Sequence, residues 1–143
     1  MGWKDWVLAR TGARKITGSS LLQNLWSGYG ELLRLSLAGA PMESVILKRV
    51  VPPTGAREST SDARKRRSYI VEQAWYRSGS QLCKEGCRVA RCLGVEKSLL
   101  LLEDLGTAGF FPGRPRGERD VRAGLSWLAH FHARFLGEKI EGL

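Results

Sequence analysis

Three cysteines and two histidines are the side chains of this sequence best suited to metal binding or nucleophilic chemistry. The cysteines follow the spacing C-x3-C-x4-C at Cys83, Cys87 and Cys92. An odd number without a C-x-x-C pair is typical of reduced thiols in a cytosolic protein, and a tetrahedral zinc site needs a fourth ligand. His130 and His132 are two positions apart, so on a helix they point to different sides. We therefore predict free, partly buried thiols and no metal site.

Positive charge is concentrated in one part of the chain. The sequence holds 23 Lys and Arg against 14 Asp and Glu, a net charge of +9. Between positions 48 and 67, seven basic residues stand against two acidic ones, which accounts for +5 of the total. The basic residues are Lys48, Arg49, Arg57, Arg64, Lys65, Arg66 and Arg67. Such a run is typical of a nucleic-acid surface, a site for an anionic ligand or a solvated helix start, and composition leaves all three open.

Length and hydropathy limit the class of protein. A chain of 143 residues with 43% hydrophobic content suits one small globular domain. The longest uncharged run, residues 16–30, is too short and too polar for a membrane-spanning helix, which needs about 20 mostly apolar residues. The first residues lack the basic-then-apolar order of a signal peptide. We expect a cytoplasmic protein with no membrane association.

Hydrophobic periodicity and turn residues predict an α+β fold. We expect a helix at 3–10, a hairpin with strands at 20–26 and 31–37, and a third strand at 43–51. A second helix begins with a cap at Ser61 or Asp62 and ends near Ser78. Two strands at 88–95 and 98–102 and a helix at 118–136 complete the order. The pattern predicts a five-stranded antiparallel sheet with one helix between strands three and four.

This order, and several short motifs, resemble the small lobe of kinase-like phosphotransferases. Strand three contains Val45-Ile46-Leu47-Lys48, similar to the V-A-I-K lysine motif. At closer range the sequence resembles the ecdysteroid kinase-like and choline kinase-like family, a group within the aminoglycoside phosphotransferases. The similar segments are LWSGYGE (25–31), KRRSY and EQAWYR (65–77), LLLEDL (100–105) and WLAHFHA (127–133). The resemblance implies a kinase-like N-terminal lobe over 1–105, ending in a hinge, and a linker with the first helix of an incomplete C-terminal lobe over 106–143.

The resemblance implies ATP as the cofactor and phosphoryl transfer to a hydroxyl of a small molecule. Lys48 then holds the α- and β-phosphates, and Glu72, 24 positions later, holds Lys48 by an ion pair. The Gly28-Tyr29-Gly30 turn covers the phosphates, although it keeps only part of the pattern G-x-G-x-x-G. The backbone of Glu103-Asp104-Leu105 meets the edge of the adenine.

The resemblance also shows what this sequence lacks. The family's catalytic base lies in a His-x-Asp loop, and a downstream Asn and Asp hold magnesium. This sequence has no His-x-Asp, and its last aspartate is Asp120. Without a base and metal ligands, no group accepts the hydroxyl proton or stabilises the charge that develops in the transition state. We expect a truncated or partial kinase that binds nucleotide but does not transfer phosphate by itself, with no catalytic residue and no metal ligand to assign.

The last predicted helix carries a broad apolar face. Trp127, Leu128, Phe131 and Phe135 would pack, in the family, against helices that are absent here. We expect these side chains to be partly exposed, and predict self-association, a protein partner or folding of the helix back onto the sheet. Two alternatives stay open: a non-catalytic nucleotide-binding or regulatory module, and a basic nucleic-acid-binding domain. The second is disfavoured because no helix-turn-helix, RNP or zinc pattern is present.

Overall fold

The computed structural model describes residues 2–54, 59–114 and 116–143. Within these residues the fold is α+β, as predicted: an open five-stranded antiparallel sheet and three α-helices. The elements are α1 (Trp3–Thr11), β1 (Lys15–Asn24), β2 (Gly30–Ala38), β3 (Ser44–Val50), α2 (Thr60–Ala74), β4 (Cys92–Glu96), β5 (Leu99–Glu103) and α3 (Glu118–Phe135). The strand order in the sheet is β1-β2-β3-β5-β4.

The predicted hairpin is confirmed, although its first strand begins earlier, at Lys15. A short 3-10 turn at Trp26–Gly28 joins the two strands. Gly30 enters β2 with φ 129°, and a Cβ there would overlap the carbonyl oxygen of Arg49 on β3. Only glycine allows this backbone conformation and this close approach of the neighbouring strand.

The start of α2 differs from the prediction. Ser59 is the N-cap, and its hydroxyl accepts a hydrogen bond from the Asp62 N–H at 3.1 Å, while the Asp62 carboxylate accepts from the Ser59 N–H at 3.2 Å. The expected cap at Ser61 or Asp62 is wrong because Asp62 is the acidic partner of a capping box. A π-helical turn (Trp75–Gly79) and a 3-10 turn (Ser80–Leu82) continue α2 past the predicted end near Ser78, because Gly79 keeps a right-handed helical conformation with φ −78°. Residues 55–58, between β3 and α2, lie outside the described residues.

The fourth strand is shorter than predicted and begins at Cys92. The residues before it run beside β5 and are tied to Glu103. Its carboxylate accepts from Arg88 Nη2 at 2.7 Å and from the Arg91 N–H at 3.0 Å. These contacts replace part of the expected β-ladder with side-chain hydrogen bonds.

The main hydrophobic core lies between the sheet and α1. Its buried members are Trp6, Val7, Leu33, Leu35, Val45, Leu47 and Leu101. Because side chains alternate across a strand, Leu32, Arg34, Ile46 and Lys48 project from the opposite face. In the ladder, Leu32 is opposite Lys48 and Arg34 is opposite Ile46. The core thus fixes the strands whose other face can carry a site.

The last helix packs against the end of α2 and the π-helical turn that follows it through aromatic contacts. Phe131 and Phe135 lie 6.0 and 6.1 Å from Trp75, between ring centroids. Trp127 stacks on Phe131 at 5.0 Å. No residue of α3 is fully buried, and Leu128 is exposed. The expected partial exposure of this face is confirmed, and the partner predicted for it stays a prediction. Among the described residues, none of the helices combines the length and the apolar character needed to cross a membrane.

Candidate functional site

A cleft of about 750 Å³ lies on the sheet face opposite the core. Its walls are mostly apolar, with a few polar groups, which is typical of small-molecule sites. The apolar walls include Leu22, Leu25, Leu32, Ile46 and Leu102, and Trp26, Phe110 and Phe111 stand at exposed positions. The polar lining includes Arg34, Lys48, Glu72, Glu103 and Asp104. The cleft therefore collects most of the residues that the sequence singled out.

Lys48 and Glu72 form the predicted ion pair inside this cleft. The ammonium Nζ lies 2.8 Å from Oε1 and 2.6 Å from Oε2 of the carboxylate. Lys48 comes from β3 and Glu72 from the last turn of α2, so the pair connects the sheet to the helix. Both side chains are partly shielded from water, with 16% and 33% of their surface exposed. The pair fixes the ammonium at the cleft wall.

Tyr69 provides a second contact to the same ammonium. It lies one helical turn before Glu72 on α2, and Lys48 Nζ stands 4.9 Å from its ring centroid, a cation–π distance. Burial, and then the charge of Glu72, raise the pKa of the Tyr69 phenol, so it stays protonated at neutral pH. The lysine is thus held by a carboxylate and by an aromatic face.

Asp104 anchors the hinge-like segment instead of presenting a free carboxylate. It is buried and accepts hydrogen bonds from Arg34 Nε at 2.6 Å, Ser44 Oγ at 2.7 Å and the Gly106 N–H at 3.0 Å. Burial acts to raise the pKa of Asp104, but these hydrogen bonds and the Arg34 charge bring the pKa below its usual value. The carboxylate is therefore ionised and fully engaged.

Glu103 and Leu105, the two neighbours of Asp104, differ in whether they leave a hydrogen-bonding group without a partner. Glu103 ties residues 88–91 to β5 through its carboxylate. The Leu105 carbonyl accepts from the N–H groups of Ala108 and Phe110, whereas the Leu105 N–H has no hydrogen-bond partner within the described residues. Leu105 lines the cleft, so one backbone donor is available there.

The structure does not bring the Gly28-Tyr29-Gly30 turn into the cleft lining. Tyr29 is buried, and its hydroxyl donates to Asp62 Oδ1 at 2.7 Å. Lys65 Nζ donates to Ser27 Oγ at 2.8 Å. Hydrogen bonds from Ser59 and Tyr29 lower the pKa of Asp62 to about 2. The turn is held against α2, and the residues before it, Leu25 and Trp26, contribute to the cleft instead.

The three thiols are free, and each is buried or partly buried, as predicted. Burial, followed by the neighbouring Cys87, raises the pKa of the Cys83 thiol to about 11, so this thiol is protonated at neutral pH. Within residues 2–54, 59–114 and 116–143, no three His, Cys, Asp or Glu side chains are grouped as metal ligands.

Sequence reasoning missed Arg34 and the aromatic pair Phe110 and Phe111. The period-two alternation of β2 places Arg34 on the same strand face as Leu32. This pattern identifies Arg34 as a cleft residue only once it is known which face of the sheet carries the cleft. The position of the aromatic pair depends on the turn at 105–109, for which the sequence carries no comparable pattern.

Comparison with known protein families, with curated proteins and with solved structures gives no match for this chain. We therefore infer function from the cleft itself.

Proposed function

We propose that this chain is the nucleotide-binding lobe of a kinase-like phosphotransferase acting on small hydroxyl compounds. The observation that carries the proposal is the Lys48–Glu72 pair, held on β3 and α2 inside an apolar cleft. An ammonium has three donors, and Glu72 occupies two of them. The remaining donor and the positive charge suit a phosphate group.

The rest of the cleft suits a purine nucleoside. Leu32, Ile46 and Leu102 form an apolar wall on which a flat base can lie, and the hinge segment at 103–106 borders it. The cleft volume is within the range of cofactor sites. The distribution of groups therefore matches a ligand that is apolar and flat at one end and anionic at the other.

Magnesium does not fit the residues present. The cleft carboxylates are Glu72, Glu103 and Asp104, and each is paired with a cation of the chain: Lys48, Arg88 and Arg34, respectively. Hard divalent cations need several oxygen ligands, and the described residues group none for this purpose. We expect binding of nucleotide without phosphoryl transfer by this chain alone.

Equilibrium binding of fluorescent purine nucleoside triphosphates tests the proposal. We expect Lys48→Ala to weaken binding by at least about tenfold, because removing the partner of a charge-assisted contact costs about 1.5–3 kcal/mol. Lys139→Ala is the matched control, since Lys139 is exposed and lies outside the cleft. Equal affinities of the two variants, or no binding by the unaltered chain, contradict the proposal.

A phosphotransfer and hydrolysis assay separates an active kinase from a chain that only binds nucleotide. We expect no turnover with the unaltered protein. Turnover that Lys48→Ala abolishes would show that the chain is an active kinase and that the expected inactivity is wrong. Binding without turnover is the result expected both for a lobe of a larger enzyme and for a nucleotide-binding regulatory module.

A further inference from the structure

Arg34 places a guanidinium at the part of the cleft where the base of a nucleotide would end. It projects from β2, opposite Ile46 on β3, and Ile46 is in turn opposite Leu102 on β5. Its Nε donates to Asp104 Oδ2 at 2.6 Å and its Nη2 to Oδ1 at 3.2 Å. The Asp104 side chain is buried, whereas 43% of the Arg34 side chain remains exposed and lines the cleft.

The guanidinium keeps most of its donors. Arginine has five N–H groups in a rigid fork, and Asp104 accepts from two of them. The described residues offer no acceptor to the other three. Gly106 lets the group lie against the hinge, because a Cβ at that position would come within 3.2 Å of Arg34 Nη2. Three oriented donors therefore border the hinge side of the cleft.

The carbonyls of Asp104 and Leu105 are already used as acceptors. The Asp104 carbonyl accepts from the Thr107 N–H at 3.1 Å and from the Thr107 hydroxyl at 2.8 Å. The Leu105 carbonyl accepts from Ala108 and Phe110, and the Asp104 carboxylate is fully engaged. The free donors of Arg34 and the unpartnered Leu105 N–H therefore outnumber the free acceptors that Asp104 and Leu105 leave at this end of the cleft.

The two common purines differ in what they present to such a wall. Guanine offers two adjacent acceptors, O6 and N7, and arginine pairs with them in a bidentate manner; adenine offers N7 beside an N6 amino donor. A donor facing a donor leaves both groups without partners, which costs binding free energy. The bidentate contact therefore favours an oxygen at the purine 6-position.

We propose that Arg34 makes this cleft selective for nucleotides of 6-oxopurines, guanine or hypoxanthine, over those of adenine. The proposal rests on the proposed nucleotide-binding function and names the base that this site takes. It differs from the expectation of ATP, which came from the family resemblance and not from the groups that line the cleft.

Competition against a fluorescent nucleotide tests the selectivity with GTP, ITP, 7-deaza-GTP and ATP. We expect GTP and ITP to bind more tightly than ATP by about 5-fold to 150-fold, the range of a good bidentate contact to a base. ITP lacks the guanine 2-amino group, so its agreement with GTP assigns the preference over ATP to the 6-oxo edge that GTP and ITP share. We expect 7-deaza-GTP, which lacks the N7 acceptor, to bind more weakly than GTP.

Arg34→Lys assigns the selectivity to this side chain. Lysine keeps one charged contact but not the planar fork, so we expect the GTP-to-ATP ratio to fall towards one while triphosphate binding persists. Ser44→Ala is the matched control, because it also removes one hydrogen bond from Asp104 but leaves Arg34 in place. We expect its ratio to equal that of the unaltered protein.

The outcomes distinguish the two proposals. Binding of ATP as tight as that of GTP overturns the role of Arg34 and leaves the nucleotide function standing. A GTP preference that survives Arg34→Lys also overturns that role. No binding of any nucleotide overturns both. If Arg34→Lys does not fold, the affinities of GTP, ITP, 7-deaza-GTP and ATP for the unaltered protein still decide: 7-deaza-GTP binding as tightly as GTP overturns the bidentate contact, and ATP binding as tightly as GTP overturns the base preference.

Discussion

The β-sheet and the last helix are attached to this molecule in opposite ways. The sheet is fixed by side chains with no exposed surface, among them Leu35, Val45, Leu47 and Leu101. In contrast, α3 has no buried residue over its 18 positions. It is attached by aromatic contacts and by two hydrogen bonds to main-chain carbonyls, from Trp127 Nε1 at 2.9 Å and from Arg134 Nε at 3.0 Å.

This difference in burial makes the strands that carry the cleft more stable than α3. Arg34, Ile46 and Lys48 lie on strands whose other face is the core, so their positions persist as long as the sheet is folded. The helix α3 contributes no residue to the cleft lining. Segments with few buried contacts open locally at a lower free energy than the global unfolding. We therefore expect α3 to open without disturbing the Lys48–Glu72 pair.

The largest expected effect comes from the core behind the cleft. Leu47→Ala leaves a cavity in a fully buried site, and such truncations cost about 2–5 kcal/mol. Leu128→Ala makes the same chemical change on α3, where 44% of the leucine is exposed, and we expect a cost below about 1 kcal/mol. Urea unfolding measures both. Equal costs would contradict the contrast between the two regions.

The next effect concerns the close approach of β2 and β3. Gly30→Ala requires a Cβ at φ 129°, overlapping the Arg49 carbonyl, and we expect a loss of about 1–3 kcal/mol. Gly28→Ala is the control, because Gly28 has φ 72° with nothing within 4 Å, and we expect a cost of about 1 kcal/mol. Thermal unfolding compares the two variants. A smaller loss of stability in Gly30→Ala than in Gly28→Ala would contradict this geometry.

A smaller effect distinguishes the local stability of α3 from the stability of the whole fold. Trp127→Phe keeps the aromatic stack on Phe131 but removes the indole N–H donor to the Arg88 carbonyl, a loss of about 0.5–1.5 kcal/mol. We expect faster hydrogen exchange in α3 and an unchanged urea midpoint for the sheet. Trp26→Phe alters an exposed tryptophan outside α3, and α3 exchange should not respond to it. An unchanged exchange rate in Trp127→Phe would contradict the local attachment of the helix.

The smallest effect is a pH dependence of the contact between α2 and the β1–β2 turn. The pKa of Asp62 is lowered from 3.8 to about 2, first by Ser59 and then by Tyr29. Because the folded pKa is below the unfolded one, this contribution is present above about pH 4 and is lost as pH falls towards 2. We expect Asp62→Asn to flatten the stability profile between pH 4 and 2, and Tyr29→Phe to flatten it in part. Chemical unfolding across this range measures the slope, and an identical slope in Asp62→Asn would contradict the assignment.

Local patterns predicted most of the elements. The alternating leucines of β2, the β-branched run of β3 and the glycine after α1 each act over a few residues, and the corresponding elements are present. The α+β class followed from their order. The predicted boundaries differ from the structure at the start of β4 and the cap of α2, because hydrogen bonds accepted by Glu103 and Ser59 decide them.

The residues of the cleft were only partly predictable. Lys48 and Glu72 were predicted through a family resemblance, and their ion pair is present. The resemblance predicts the Gly28-Tyr29-Gly30 turn over the phosphates, whereas in the structure this turn lies outside the cleft lining and the Tyr29–Asp62 hydrogen bond, between residues 33 positions apart, holds it against α2. The bond between Arg34 and Asp104 spans 70 positions, and no local pattern indicates it.

The sequence by itself determined the order of helices and strands, the reduced thiols and the lysine of strand three, because period-two hydrophobic patterns, turn residues and short motifs act locally. The tertiary structure alone decided which face of the sheet forms the cleft, that Arg34 borders residues 103–106, and that α3 lies on the surface. These features depend on strand register and on side-chain contacts between distant segments, which form only when the core closes.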